Sequence, residues 1–265
     1  MTVAASHAIV NARVRTMDPG APWSDAVAWD GGRIVALGSD VAAAIDATTQ
    51  VIDARGGVVT PGLVDGHQHL LQGAVFAQGV NLDRIGTLAD LRAAVAQERQ
   101  RVGPGAWLLG YAMEYAALEG ARYHHRLIDD AAGPGPMFLY ALDVHTGFVN
   151  QTALQIAGVT GARQLPDASE IVVDDDGVPT GELLEMAAMR TVLDSVPQPS
   201  RDQRLGWYAQ AISQQNAVGL TEIHMMDGDL DTLESLAALE EAGTLGLRVL
   251  QHHFIHPYTP EEEVD

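Results

Sequence analysis

Short apolar runs punctuated by turn residues fill the first sixty positions. Ala8-Ile9-Val10-Asn11-Ala12-Arg13-Val14 alternates in part, and Asp18-Pro19-Gly20 breaks the chain after it. Ala26-Val27-Ala28-Trp29 then runs through Asp30-Gly31-Gly32 into Arg33-Ile34-Val35-Ala36-Leu37-Gly38. Two apolar runs joined through Asp-Gly predict a hairpin, because that turn needs the positive φ that Gly supplies. Val51-Ile52-Asp53 and Gly57-Val58-Val59 predict further short strands, so residues 1–60 read as a small all-β unit.

The period changes at Thr60-Pro61-Gly62. Leu63-Val64-Asp65-Gly66-His67-Gln68-His69 predicts the end of a buried strand. A helix follows from Leu88: Thr87 with Asp90 three residues on resembles a capping box, and Gly103-Pro104 stops it. Residues 105–180 are irregular, with strands predicted at 106–109 and 137–140 and a hairpin turning at Asp174-Asp175-Asp176-Gly177. They read as an inserted α+β segment. Alternation then resumes, with helices predicted at 182–194, 202–217 and 229–242 and strands at 220–225 and 247–255. Strands alternating with helices make an α/β body over 61–265.

Composition narrows the chemistry. At roughly 150 residues per domain, the 265 residues make one large domain or two smaller ones. Cys is absent, which removes disulfides, thiol nucleophiles and thiolate ligands, so any metal must be held by His, Asp or Glu. Thirty-five acidic residues against fifteen basic ones give a formal charge of −20, which repels phosphate backbones and anionic membranes. Nucleic acid and membrane are therefore not expected partners. No apolar run approaches the ~18 residues of a membrane span, and the first residues lack a signal-peptide pattern. A cytoplasmic location is the expectation.

His67 and His69 sit two apart, so on a strand both imidazoles point to one side and form half of a metal site. A bare His-x-His also arises by accident; its surroundings are more specific. Val58 to His69, after a short β region, resembles the first barrel strand of the amidohydrolase superfamily. The resemblance continues in the family 3 branch, which includes N-substituted formamide deformylases. It runs through Trp107-Leu108-Leu109-Gly110, the Asp143–Gly158 block, Gly177-Val178-Pro179-Thr180-Gly181-Glu182-Leu183-Leu184-Glu185 and Gly219-Leu220-Thr221.

That resemblance implies a partial (β/α)8 TIM-type barrel with an N-terminal β-sandwich portion. It implies a metal-dependent hydrolase that cleaves C–N bonds in a small amide-like substrate through a metal-activated water. His67 and His69 match the first two ligands of one or two divalent metals, with Zn²⁺ the first choice beside Fe or Mn. Glu185 matches an acidic ligand, with Glu182 one turn away as its competitor and a solvated helix-start carboxylate as the plain alternative. Asp65 fits a carboxylate supporting a ligand histidine, or a turn residue. His145 matches a histidine that approaches the substrate pocket. His224, His252 and His253 lie on predicted strands and match no ligand motif; His7, His124 and His125 read as surface.

After Glu185 no Ser-Asp pair and no further histidine motif of the family follows, so the sequence reads as the front half of that fold. A piece of a longer enzyme, one product of a split gene, and a short non-catalytic interaction chain all fit. Unfinished parallel edges invite association, so a homo-oligomer or a complementing chain is expected, and the isolated chain is expected to be inactive or nearly so.

Overall fold

The computed structural model describes residues 4–252 except 167, 227 and 229. It divides into two compact units: Met1–Asp65 with Val218–Glu222, and Gly66–Ala217 with Ile223–Asp265.

The first unit opens with β1 (His7–Val10) and β2 (Arg13–Arg15). One apolar run supplies both, split where Asn11 turns to φ 52°, a left-handed conformation that cannot continue a pleat. Next come β3 (Trp23–Ser24), β4 (Val27–Asp30), β5 (Arg33–Leu37), the single turn α1 (Val41–Ala44), β6 (Gln50–Asp53) and β7 (Val58–Val59). They form two sheets, β5-β4-β1-β6 and β3-β2-β7. The hairpin expected through Asp30-Gly31-Gly32 is present: β4 and β5 are antiparallel, with both glycines at positive φ. The core here is small, built of Ala5, Ala8, Ala26, Ala28, Val41 and Ala44. His7, read as a surface residue, instead stacks on Trp29 with ring centroids 5.2 Å apart.

The chain continues through β8 (Leu63–Gln68), α2 (Leu70–Phe76), β9 (Val80–Asn81), α3 (Leu88–Val102), β10 (Leu108–Met113) and α4 (Asp129–Ala132). After these come β11 (Met137–Ala141), β12 (Thr146–Val149), α5 (Gln151–Ile156), β13 (Glu170–Val173), β14 (Pro179–Leu184) and α6 (Glu185–Leu193). The described chain ends with α7 (Arg201–Ala217), β15 (Leu220–Met225), α8 (Leu230–Glu241) and β16 (Arg248–Gln251). α3 starts as its sequence dictates, with the Thr87 hydroxyl accepting from the Asp90 N–H at 3.1 Å. The strand predicted over 247–255 is described only to Gln251, and its last residues lie outside the described ones.

The segment expected as an insertion over 105–180 supplies most of one sheet, separate from that of β8. Its strands join β9 and β14 in one six-stranded sheet of order β13-β14-β12-β11-β10-β9. β9, β10 and β11 run parallel, and β11, β12, β14 and β13 antiparallel. The hairpin at Asp174–Gly177 closes β13 onto β14, with the Gly177 N–H donating to the Asp174 carbonyl at 2.9 Å. One side of this sheet packs Leu82, Leu91, Val95, Leu108, Met137 and Leu139, and a second cluster holds Phe138, Val149, Leu154, Ile171, Leu183 and Met189. Gly181 belongs here for a steric reason: at φ 92° a Cβ would lie 2.4 Å from the Val149 carbonyl oxygen.

β8, β15 and β16 form a fourth sheet of order β16-β15-β8. β8 was expected to be buried, yet Leu63 and Val64 are 58% and 56% exposed, because β8 is an edge of that sheet.

Candidate metal and substrate site

Three strand ends carry the first group of candidate residues. The Met226 N–H donates to the Gln68 carbonyl at 2.9 Å, and the His252 N–H donates to the Met225 carbonyl at 2.9 Å. The C-terminal ends of β8, β15 and β16 are thereby aligned, which makes the strands parallel. In that register Gln68 lies opposite Met225, so His67 and His224, each one residue earlier, point to the same face. Met225 on the other face is buried.

β8 stops at Gln68, and His69 is the residue that opens α2, at φ −106° and ψ 64°. The two imidazoles still meet: the His67 and His69 ring centroids are 5.5 Å apart with planes at 69°. Both side chains are exposed to solvent. Two adjacent imidazoles fit a borderline-soft divalent ion such as Zn²⁺ and supply two of its donors. Asp65 is half-buried and two residues earlier on the same strand.

The second group lies on the six-stranded sheet. His145 Nδ1 is 3.0 Å from Glu185 Oε2, and the Glu185 N–H donates to the His145 carbonyl at 2.8 Å. Backbone and side chain together tie the start of β12 to the start of α6. The Asp143 carboxylate accepts from the His145 N–H at 3.0 Å. Val144 at φ 58° and Glu185 at φ 66° are both left-handed, a strained conformation for a β-branched residue and one that collects at functional sites. The hydrogen bond and charge of Glu185 raise His145 above its ordinary value. Glu182, the competitor, is on β14 instead of a helix, where it accepts from the Tyr115 hydroxyl. Burial, and then that bond, push Tyr115 up to about 12.

Among the described residues no three His, Cys, Asp or Glu side chains are gathered for a metal ion. The structure thus pairs His67 with His69 and His145 with Glu185. Two histidines read as surface prove otherwise. His125 is 5% exposed, with Nδ1 2.6 Å from Asp129 Oδ2, and His124 Nε2 lies 3.6 Å from Asp174 Oδ2. Asp129 is four residues on, at the start of α4, whereas Asp174 comes from a distant turn that local sequence does not announce. Sequence reasoning also left His224 and His252 without a role, although His252 Nε2 lies 3.4 Å from His224 Nδ1. A separate cleft of about 780 Å³ is lined by Gln72, Phe76, Tyr140, Met186, Arg190 and Trp207, among others. None of the five candidate residues lines it, but Met186 follows Glu185 directly and Gln72 is on the helix that His69 opens.

A paired-histidine strand end beside an α/β body defines a class, and the chain belongs to it: residues 50–264 match the amidohydrolase family. It is 34% identical over 187 residues to an N-substituted formamide deformylase of Arthrobacter pascens, covering 68% of this chain and 34% of that protein. It is 30% identical over 204 residues to Protein LONG AFTER FAR-RED 3 of Arabidopsis thaliana, covering 76% of this chain and 35% of the other. Its fold resembles that of an uncharacterized metal-dependent hydrolase from Pyrococcus horikoshii, at TM-score 0.67 and 16% identity over 93% of this chain and 48% of that one. A second such hydrolase, from Pyrococcus furiosus, aligns at TM-score 0.63 and 18% identity over 93% of this chain and 50% of that one. The chain spans about a third of the length of these curated relatives and about half that of the solved structures. No described helix is long and apolar enough to cross a membrane.

Proposed function

We propose that the chain carries part of the active site of a metal-dependent hydrolase of (β/α)8 barrel type that cleaves the C–N bond of a small amide-like molecule. The observation that carries this reading is the His67–His69 pair at the end of β8, in a chain of the amidohydrolase family. The likeness to a formamide deformylase supports the substrate class. His67 and His69 would hold a divalent ion, Zn²⁺ in the first instance, and Glu185 would add a carboxylate oxygen to one or two such ions. When bound, the metal supplies a Lewis acid and brings the pKa of a water to about 7.

The chain's own residues do the rest. Asp65 would serve as the carboxylate that supports a ligand histidine, fixing the tautomer that leaves the other ring nitrogen for the ion. His145, whose Nδ1 faces Glu185, would give a leaving amine the proton on Nε2 of its charged ring. The aromatic wall of the cleft, Phe76, Tyr140 and Trp207, suits an apolar substituent on the amide nitrogen. The charge of −20 fits a dissolved cytoplasmic enzyme acting on small molecules rather than on nucleic acid.

Amine release from an N-substituted formamide by the zinc-loaded chain, compared with the His67→Ala/His69→Ala protein, tests the reading. The lone chain being expected to be nearly inactive, we expect only a slow residual turnover that a chelator and the double substitution both abolish. Robust turnover that survives either one contradicts it.

A further inference from the structure

We propose that His224 and His252 form a second, two-imidazole seat for a first-row divalent cation, with donors distinct from His67 and His69. His224 is the fifth residue of β15, and His252 follows β16 directly, on the neighbouring strand of the same sheet. The His252 N–H to Met225 carbonyl bond locks these two strand ends in register, so the two side chains are brought together by the backbone and not by chance rotamers.

The distance between the rings identifies the ligand. His252 Nε2 and His224 Nδ1 are 3.4 Å apart, longer than a good N–H···N bond. Two nitrogens bound to a tetrahedral zinc at about 2.0–2.1 Å stand about 3.3 Å from each other. The pair therefore already has the nitrogen separation of a chelate, with ring centroids 5.4 Å apart and planes at 36°. His224 is half-buried and His252 exposed, so water can complete the coordination shell.

Proton balance is simple. Both imidazoles bind neutral, each keeping one proton on its outer nitrogen, Nε2 of His224 and Nδ1 of His252. Whichever inner nitrogen held a proton in the metal-free pair passes it to the outer nitrogen of its own ring by tautomerisation, with no net release. With two protein donors the site is open, which suits a cation that also takes an oxygen or nitrogen from a small ligand.

The test is a Zn²⁺ titration followed by calorimetry and by ¹⁵N spectra of the histidine rings, on wild type, His224→Ala, His252→Ala and His67→Ala/His69→Ala. Partners one shell out from a metal are worth about 10–100-fold in affinity, so loss of a direct donor should weaken one binding event at least about tenfold. We expect that loss in His224→Ala and in His252→Ala, with the event intact in His67→Ala/His69→Ala. The ring spectra should show zinc on Nδ1 of His224 and Nε2 of His252, a readout independent of activity and of any change in folding caused by alanine. Zinc binding unchanged in both single variants, or wild-type ring spectra that do not respond at those two nitrogens, would overturn the proposal. So would an event lost equally in His67→Ala/His69→Ala, because the four histidines would then serve one ion.

Discussion

The His145–Glu185 pair joins residues 40 apart in sequence and sets a titration that can be read directly. Glu185 favours the charged imidazole through its hydrogen bond and its charge, which raises His145 above 6.5. A histidine raised on folding contributes stability that is full below its ordinary value and is lost as pH rises through the raised one. His145 is 69% exposed on its side chain, so solvent screens the pair and the stability effect is small. In metal-free protein, ring spectra of His145 should titrate above the ordinary value, and in Glu185→Gln the midpoint should fall back toward it. An unchanged midpoint would remove the pairing from the account. The sequence marks both residues through their motifs, but their contact depends on a β12–β14 pairing and two left-handed residues that no local pattern encodes.

At the scale of elements, Asn150 shows how a motif residue can be structural. Its side chain, 1% exposed, caps α5 by accepting from the Ala153 N–H at 3.1 Å. The same oxygen accepts from the Met137 N–H at 2.9 Å, and the amide donates to the Gly135 carbonyl at 2.9 Å. Asn150→Ala leaves these buried groups unpaired, for a loss of about 3 kcal/mol in urea unfolding. A loss below ~1 kcal/mol would mean that water replaces the side chain. Elements with local signals are legible beforehand: Thr87 announces α3, and Asp30-Gly31-Gly32 and Asp174–Gly177 announce their hairpins. β9 is two residues long and exists only because β10 lies beside it, so nothing in its own sequence predicts it. The same holds for the six-stranded sheet, whose partners come from β9 at Val80 to β14 at Leu184. Gly62 is legible as a turn residue, but its reason is distant: a Cβ there would lie 2.0 Å from Thr221 Oγ1.

For the whole molecule, β8 and β16 are the edges of their sheet among the described residues, and Leu63, Val64 and Leu250 on them are exposed. Parallel strands are ordinarily paired and covered, so such edges favour association. We expect light scattering to give a mass above the 28.2 kDa of one chain, and a monodisperse species at that mass would contradict it. The central claim is that a chain of the amidohydrolase family keeps a metal on His67 and His69. Its most direct test is the metal content of protein purified without chelator, by mass spectrometry after gel filtration, for wild type and His67→Ala/His69→Ala with matched circular dichroism. About one ion per chain should be lost with the two imidazoles. Equal metal in the two proteins, or none in either, would contradict it.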